Sequence, residues 1–385
     1  MKAHIHYKKV ISVTTIILLI ISGCTTKSGG FQCAPANSKA QISMDSLRCE
    51  AIRLDSISTS SFGESAITPD NDIVFIDKNF CKVSVFDTTG HFKRDYLGLG
   101  GAPHETQIGK IAAQTILSDG RLVLLGHNLD FHLFKDYICD SIFILNRDCS
   151  DQTLEGDSKT YTNQYNDMVC RSYKNNIYLN VYAEHPEFNY LEHTEKYLRE
   201  CRHLWEIDLN QQKDTRLLAK GYPQSYHKDP KKHVIFTGTC YDIDNKGNFY
   251  INYDTDPSIY VYDYDFNPIA TYGLEGKNMN TDYLYIDNYK ECRKNYRTER
   301  ETKGYYYWIE YVDEIGLLFR SYKKQSGTLD GLQIYKEGIM IADINVPKGL
   351  RVMGYIAPYY YSYIIPQLAE NDDSLILYRF KMEEP

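Results

Sequence analysis

All-β is the fold class that the sequence predicts, and three observations predict it. Short runs rich in Tyr, Ile, Val and Phe alternate with clusters of Asp, Asn, Gly and Pro along most of the chain. Tyrosine is unusually abundant, with 35 residues against 15 phenylalanines and two tryptophans. It suits a strand with one dry and one wet face, because the ring packs while the hydroxyl reaches water. One strand also recurs: VSVFD ends at Asp87, SIFILN at Asn146, LWEID at Asp208, IYVYD at Asp263 and LQIYK at Lys336. The spacing is roughly sixty residues, which over the mature length gives about six units. A β-sandwich also has many short strands, but it has no reason to repeat one of them at near-constant spacing. The expected architecture is a six-bladed β-propeller of four-stranded antiparallel blades, with short helical insertions.

The N-terminus reads as a targeting segment. Lys2, Lys8 and Lys9 form a positive region, and Val10 to Ile21 is an apolar run too short for an ordinary transmembrane helix. It ends in Ile21-Ser22-Gly23-Cys24, which resembles a bacterial lipobox, where the cysteine is lipidated and becomes the mature N-terminus. Residues 1–23 are therefore expected to be a lipoprotein signal peptide, 24–45 a lipid-anchored flexible tether, and 46–385 a single propeller domain. Thr25 after the cysteine, in place of Asp, implies the outer membrane. Without an acidic cluster beyond Cys24, the periplasmic face is preferred over the cell surface.

Cys49 to Ile57 reads as a lone strand that completes the last blade and removes the edge a ring would otherwise leave open. The first unit has strands near Glu64–Ile67, Ile73–Asp77, Val83–Asp87 and Phe92–Leu97. The second contains Ala112–Leu117, Arg121–Gly126 and Ser141–Asn146; the third contains Asp167–Tyr173, Ile177–Tyr182 and His203–Asp208. The fourth is the clearest: Val234 to Gly273 reads as four strands with turns at Asp244–Gly247, Asp254–Pro257 and Asp265–Asn267. A fifth uses Trp308–Val312, Gly316–Arg320, Gly331–Tyr335 and Gly338–Asp343. A sixth uses Arg351–Ala357, Tyr360–Ile365 and Ser374–Phe380. Between the fourth and fifth lies an insertion, Lys277 to Tyr306. Its Tyr289, Cys292 and Tyr296 recur at helical spacing among Lys290, Arg293, Lys294, Arg297 and Arg300. Leu191 to Arg202 is a second helical candidate.

Several stretches resemble the six-bladed, TolB-like propeller lipoproteins of Bacteroides-type bacteria. In Val83 to Glu105, Phe86, Asp87, Gly90 and Phe92 match that family's strand motif. Gly100, Pro103 and Glu105 match its glycine-rich segment, with Ala102 where a glycine is usual. Ser258–Gly276 and Gly331–Tyr363 carry the likeness further. The resemblance implies fold and organism group, not ligand.

The formal net charge of -8 argues against sequence-independent nucleic-acid binding. Nine cysteines remain beside Cys24, an odd number. Several lie in apolar runs, so few or no disulfides are expected. Asp242–Gly247 departs from a calcium loop at Lys246 and Tyr253 and reads as a hairpin turn. Gly98 to Glu105 has no phosphate-loop form, but His104 and Glu105 are candidate channel or loop contacts, because blade connections line propeller openings. No nucleophile elbow or Cys/His zinc spacing occurs. The expected function is a membrane-anchored envelope module that binds a protein, peptide or glycan and needs no cofactor. The alternative is a metal-dependent, lactonase-like hydrolase or lyase with a divalent cation in the central channel.

Overall fold

The computed structural model describes residues 30–145, 161–163, 168–185, 188–189, 195–369 and 372–382. Cys24 and the signal segment lie outside them. The chain is a ring of six antiparallel sheets, a six-bladed β-propeller. Two strands precede the ring: β1 (Lys39–Met44) and β2 (Glu50–Arg53). Blade one is β3 (Gly63–Ile67), β4 (Ile73–Asp77), β5 (Lys82–Phe86) and β6 (Phe92–Leu97). Blade two is β7 (Ile111–Ile116), β8 (Leu122–Gly126), β9 (Asp130–Lys135) and β10 (Ile138–Ile144). In blade three, β11 (Tyr161–Asn163), β12 (Cys170–Tyr173), β13 (Asn176–His185) and β14 (Phe188–Asn189) are followed by helix α1 (Glu195–Glu200), β15 (Arg202–Asp208) and β16 (Lys213–Lys220). Helix α2 (Gln224–Lys228) leads to blade four: β17 (Thr239–Ile243), β18 (Phe249–Tyr253), β19 (Ile259–Tyr262) and β20 (Pro268–Tyr272). Helix α3 (Tyr289–Thr302) precedes blade five: β21 (Tyr305–Val312), β22 (Leu317–Lys323), β23 (Leu329–Lys336) and β24 (Ile339–Pro347). Blade six is β25 (Val352–Ile356), β26 (Tyr359–Ser362), β27 (Ile365–Ala369) and β28 (Asp372–Phe380).

Ring closure follows the sequence expectation. The early strand β2 pairs antiparallel with β28, Ile52 opposite Leu377, and becomes the outer strand of blade six. The expected tether segment is described from residue 30 onward. There Phe31 packs edge-on against Tyr260 at 4.8 Å, and β1 runs parallel to β24 along the outer edge of blade five.

Two hairpin chemistries set the third-to-fourth strand turns. In blades one, three and four the third strand ends in an aspartate that staples the turn. Asp87 accepts from the Thr89 and His91 N–H groups at 2.8 and 3.0 Å, Asp208 from Asn210 and Gln211, and Asp263 from Asn267. Blades two and five instead use two-residue turns with both central residues left-handed: Asp136 and Tyr137 at φ 51 and 59°, Glu337 and Gly338 at 51 and 78°. This corrects one sequence expectation. SIFILN is not the third strand of blade two. That strand is β9, and Ser141 to Ile144 belongs to the fourth, β10. Without an aspartate staple, the β9–β10 turn carried no signal.

A second boundary moves in blade four. Its first strand begins at Thr239, and Val234 to Phe236 instead joins a small cluster with Tyr283 and Ile286 beneath α3. The tyrosines are mostly structural. Tyr241 donates to the Tyr178 carbonyl at 2.6 Å, Tyr222 to Thr237 at 2.9 Å and Tyr226 to Phe236 at 2.8 Å, so buried rings tie one segment to another through backbone oxygens. Between blades four and five, the fully buried Arg320 guanidinium donates to Gln333, Pro257, Leu274 and Tyr335 oxygens and stacks on Tyr306 at 3.9 Å. The eight described cysteines carry free thiols.

Candidate binding cavity at the top of the channel

The innermost strands β3, β7, β12, β17, β21 and β25 neighbour one another around a central channel. We call the face where these strands begin the top. Charged residues sit inside otherwise apolar strands, so they meet in the channel. At its waist Arg171 of β12 reaches Glu310 of β21 at 2.6 Å and Asp242 of β17 at 3.1 Å, and donates to the Tyr363 hydroxyl at 3.3 Å. Burial pushes both carboxyls up, and Arg171 opposes that by favouring their charged forms. Above the waist, Glu64 of β3 pairs with Lys78 at 3.1 Å and accepts from Gln114 at 2.6 Å. Burial works against its charge, yet Lys78 and Arg351 hold the carboxyl below the ordinary range.

Below the waist, a mouth of about 430 Å³ is lined by Asp242, Glu310, Asp313 and Glu314 and is acidic. Above it opens a cavity of about 480 Å³, of the size small ligands occupy. Helix α3 forms one wall. Tyr289, Cys292, Arg293, Tyr296 and Arg300 form one stripe of the helix, and all five line the cavity. The helix is fixed at both ends. Asn288 caps its start by accepting the Glu291 N–H at 3.1 Å. Near its end Arg300 pairs with Asp254 and stacks on Tyr305 at 3.7 Å. Opposite α3, Arg351 lies over Trp308 at 4.9 Å and Tyr363 at 4.8 Å, and its guanidinium donates no hydrogen bond to any described residue.

No family model matches the sequence, and no curated protein matches it. Solved structures do. The fold is shared with a member of the DUF4221 family from Bacteroides vulgatus, at TM-score 0.61 and 13% identity, over 88% of this chain and 98% of that one. It is shared also with a Bacteroides fragilis protein named as a candidate exported protein, at TM-score 0.52 and 12% identity, over 90% and 99%. At such identity the likeness shows the propeller alone.

The two loop residues singled out from sequence lie elsewhere. His104 is exposed, and Glu105 turns back onto its own loop, where its carboxylate accepts the Ala102 N–H at 2.9 Å. Neither lines the top cavity. A Cβ at Gly100 would meet the Glu105 carboxylate at 1.9 Å and displace the end of that side chain, whereas Ala102 is not left-handed and costs nothing. Asp242–Gly247 folds as the expected hairpin turn, with Asp244 accepting from the Lys246 and Asn248 N–H groups. The aromatic runs at 305–308 and 359–363 are largely packed, and only Tyr307 and Trp308 of them reach the top cavity.

Among the described residues, no three His, Cys, Asp or Glu side chains gather as metal donors. Three of the channel carboxylates are engaged by cations of the chain, Glu64 by Lys78 and the Asp242–Glu310 pair by Arg171, while Asp313 of the lower mouth accepts the Asn245 N–H. The three paired carboxylates do not fit the lactonase-like plan. Sequence reasoning missed Arg171, Arg351, Asp254 and Glu64. The usable signal was a charge within the first strand of a blade, or just before it, as in CRSY, YDID and YWIEYV.

Proposed function

We propose that the chain is a lipid-anchored envelope protein whose propeller binds a ligand in the top cavity without turning it over. The observation that carries this is the α3 stripe, whose tyrosines and arginines line a formed cavity in which burial raises the Cys240 and Cys292 thiols and so favours their unreactive protonated form. The lipobox-like Ile21-Ser22-Gly23-Cys24 supports the anchor, and Thr25 in place of Asp supports the outer-membrane placement. Among the described residues no helix is long and apolar enough to cross a membrane. The glycan, peptide or protein nature of the ligand is open to one experiment. Hydrogen exchange of the mature domain is followed with and without unfractionated envelope extract. Slowed exchange confined to α3 and the starts of β17 and β21 is expected. Unchanged exchange there, or steady release of product from the extract, would overturn the reading.

A further inference from the structure

The cavity is cationic in a chain that is acidic overall. Among its lining residues Arg293, Arg300 and Arg351 face Glu64 and Asp254, an excess of one positive charge, and Lys78 pairs with Glu64 from behind the wall. The two carboxylates are already matched, Glu64 by Lys78 and Asp254 by Arg300. Arg351 is different. Its charge acts on Glu64 and its guanidinium lies 4.9 Å from the Trp308 ring and 4.8 Å from the Tyr363 ring, yet its donors meet no described acceptor. A guanidinium with uncommitted donors beside two rings suits a planar anion, which it binds through two parallel hydrogen bonds.

The rest of the wall says what carries the anion. Tyr289 and Tyr296 are about half exposed, at 50% and 48%, two turns apart on one helix face. Arg293 lies over the Tyr289 ring at 5.9 Å, and the exposed parts of both rings offer apolar area to the C–H groups that a pyranose ring presents. Each Glu64 oxygen, after its one partner, keeps a lone pair for a hydroxyl. A peptide has less to hold. Along the wall at Thr237–Thr239 all three carbonyls are taken, Thr237 by Tyr222, Gly238 by the Asp254 N–H and Thr239 by Asn180, and the Gly238 N–H donates to the Asp254 carboxylate. Those acceptors are not open to the N–H groups of an extended peptide.

We infer that the top cavity receives an acidic sugar, a uronate whose carboxylate sits on Arg351 while its rings lie on the α3 tyrosines. This rests on the binding reading above. The probe is trigalacturonate, titrated calorimetrically into the mature domain, beside its methyl ester and a neutral cello-oligosaccharide of equal length. Trigalacturonate is expected to bind one to one. The ester and the neutral sugar should bind at least about tenfold more weakly, because they lose the charge-assisted pair. R351M should lose the same factor, Arg351→Lys should recover part of it, and Tyr289→Ser should weaken all sugars alike. The ester comparison needs no variant, so a misfolded mutant cannot mask the result. Equal binding of ester and acid overturns the inference, as does binding of a peptide with a free C-terminal carboxylate in place of the sugar. If envelope extract protects α3 and trigalacturonate does not bind, the inference falls and the binding reading stands. If neither acts on α3, both fall.

Discussion

Asp87, Asp208 and Asp263 show how a repeated letter acquires its meaning. Each sits at the end of a third strand, and each spends its carboxylate on the turn that follows. The recurrence was legible in the sequence because the same turn recurs, and it failed in blade two because Asp136–Tyr137 turns without a glycine, whereas the equivalent turn of blade five shows Gly338. At the same scale, His203 is buried to 1% exposure, its Nε2 3.1 Å from the Gly221 carbonyl. Burial lowers its pKa to about 3. Below pH ~6.5 the unfolded chain takes up a proton that the folded chain refuses, so this histidine makes the fold less stable as pH falls through that window. Between pH 6.5 and 5 the loss is about 2 kcal/mol, at ~1.4 kcal/mol per unit. Urea midpoints of wild type and His203→Gln should therefore converge as pH drops from 7 to 5. Parallel curves would assign the slope to other groups.

Helix α3 is the element on which the functional reading depends. Its spacing of Tyr289, Cys292 and Tyr296 was readable in the sequence, and so was its basic character. Its placement was not, because the ion pair that seats it, Arg300 with Asp254, joins residues 46 positions apart, one on the helix and one just past the end of β18 in blade four. The same holds for the channel charges, whose partners come from separate strands. Arg300→Met should free the helix without opening the ring. Amide exchange across 289–302 should speed by about one to two orders of magnitude, since a buried pair and a stacked cation are lost together. Exchange in β17 and β18 should change little. Loss of protection throughout blade four would mean instead that the pair holds the sheet.

On the scale of the molecule, the number of blades and the closing strand were both legible, since each follows from strand patterning along one chain. What the ring encloses was not, because the channel is a property of six segments that the sequence never places side by side. Two ordered truncations test the closure. Removal of residues up to 45 takes away β1, which only flanks blade five, and should leave a monomer. Removal up to 53 also takes away β2, bares the edge of β28 and exposes the packing partners of Ile52, and should produce association through that edge. Equal behaviour of the two chains would give the closing role to β1.

The β2–β28 pairing has a further consequence, in time. Strand β2 is among the first parts of the domain to be made, and its partner is among the last, roughly 320 residues later at ~5–20 residues per second. Until β28 arrives, β2 has no place to go. Blades one to five can form as local hairpins in the order of synthesis, but the ring cannot shut. The last step in closing the ring is thus the meeting of β2 with β28.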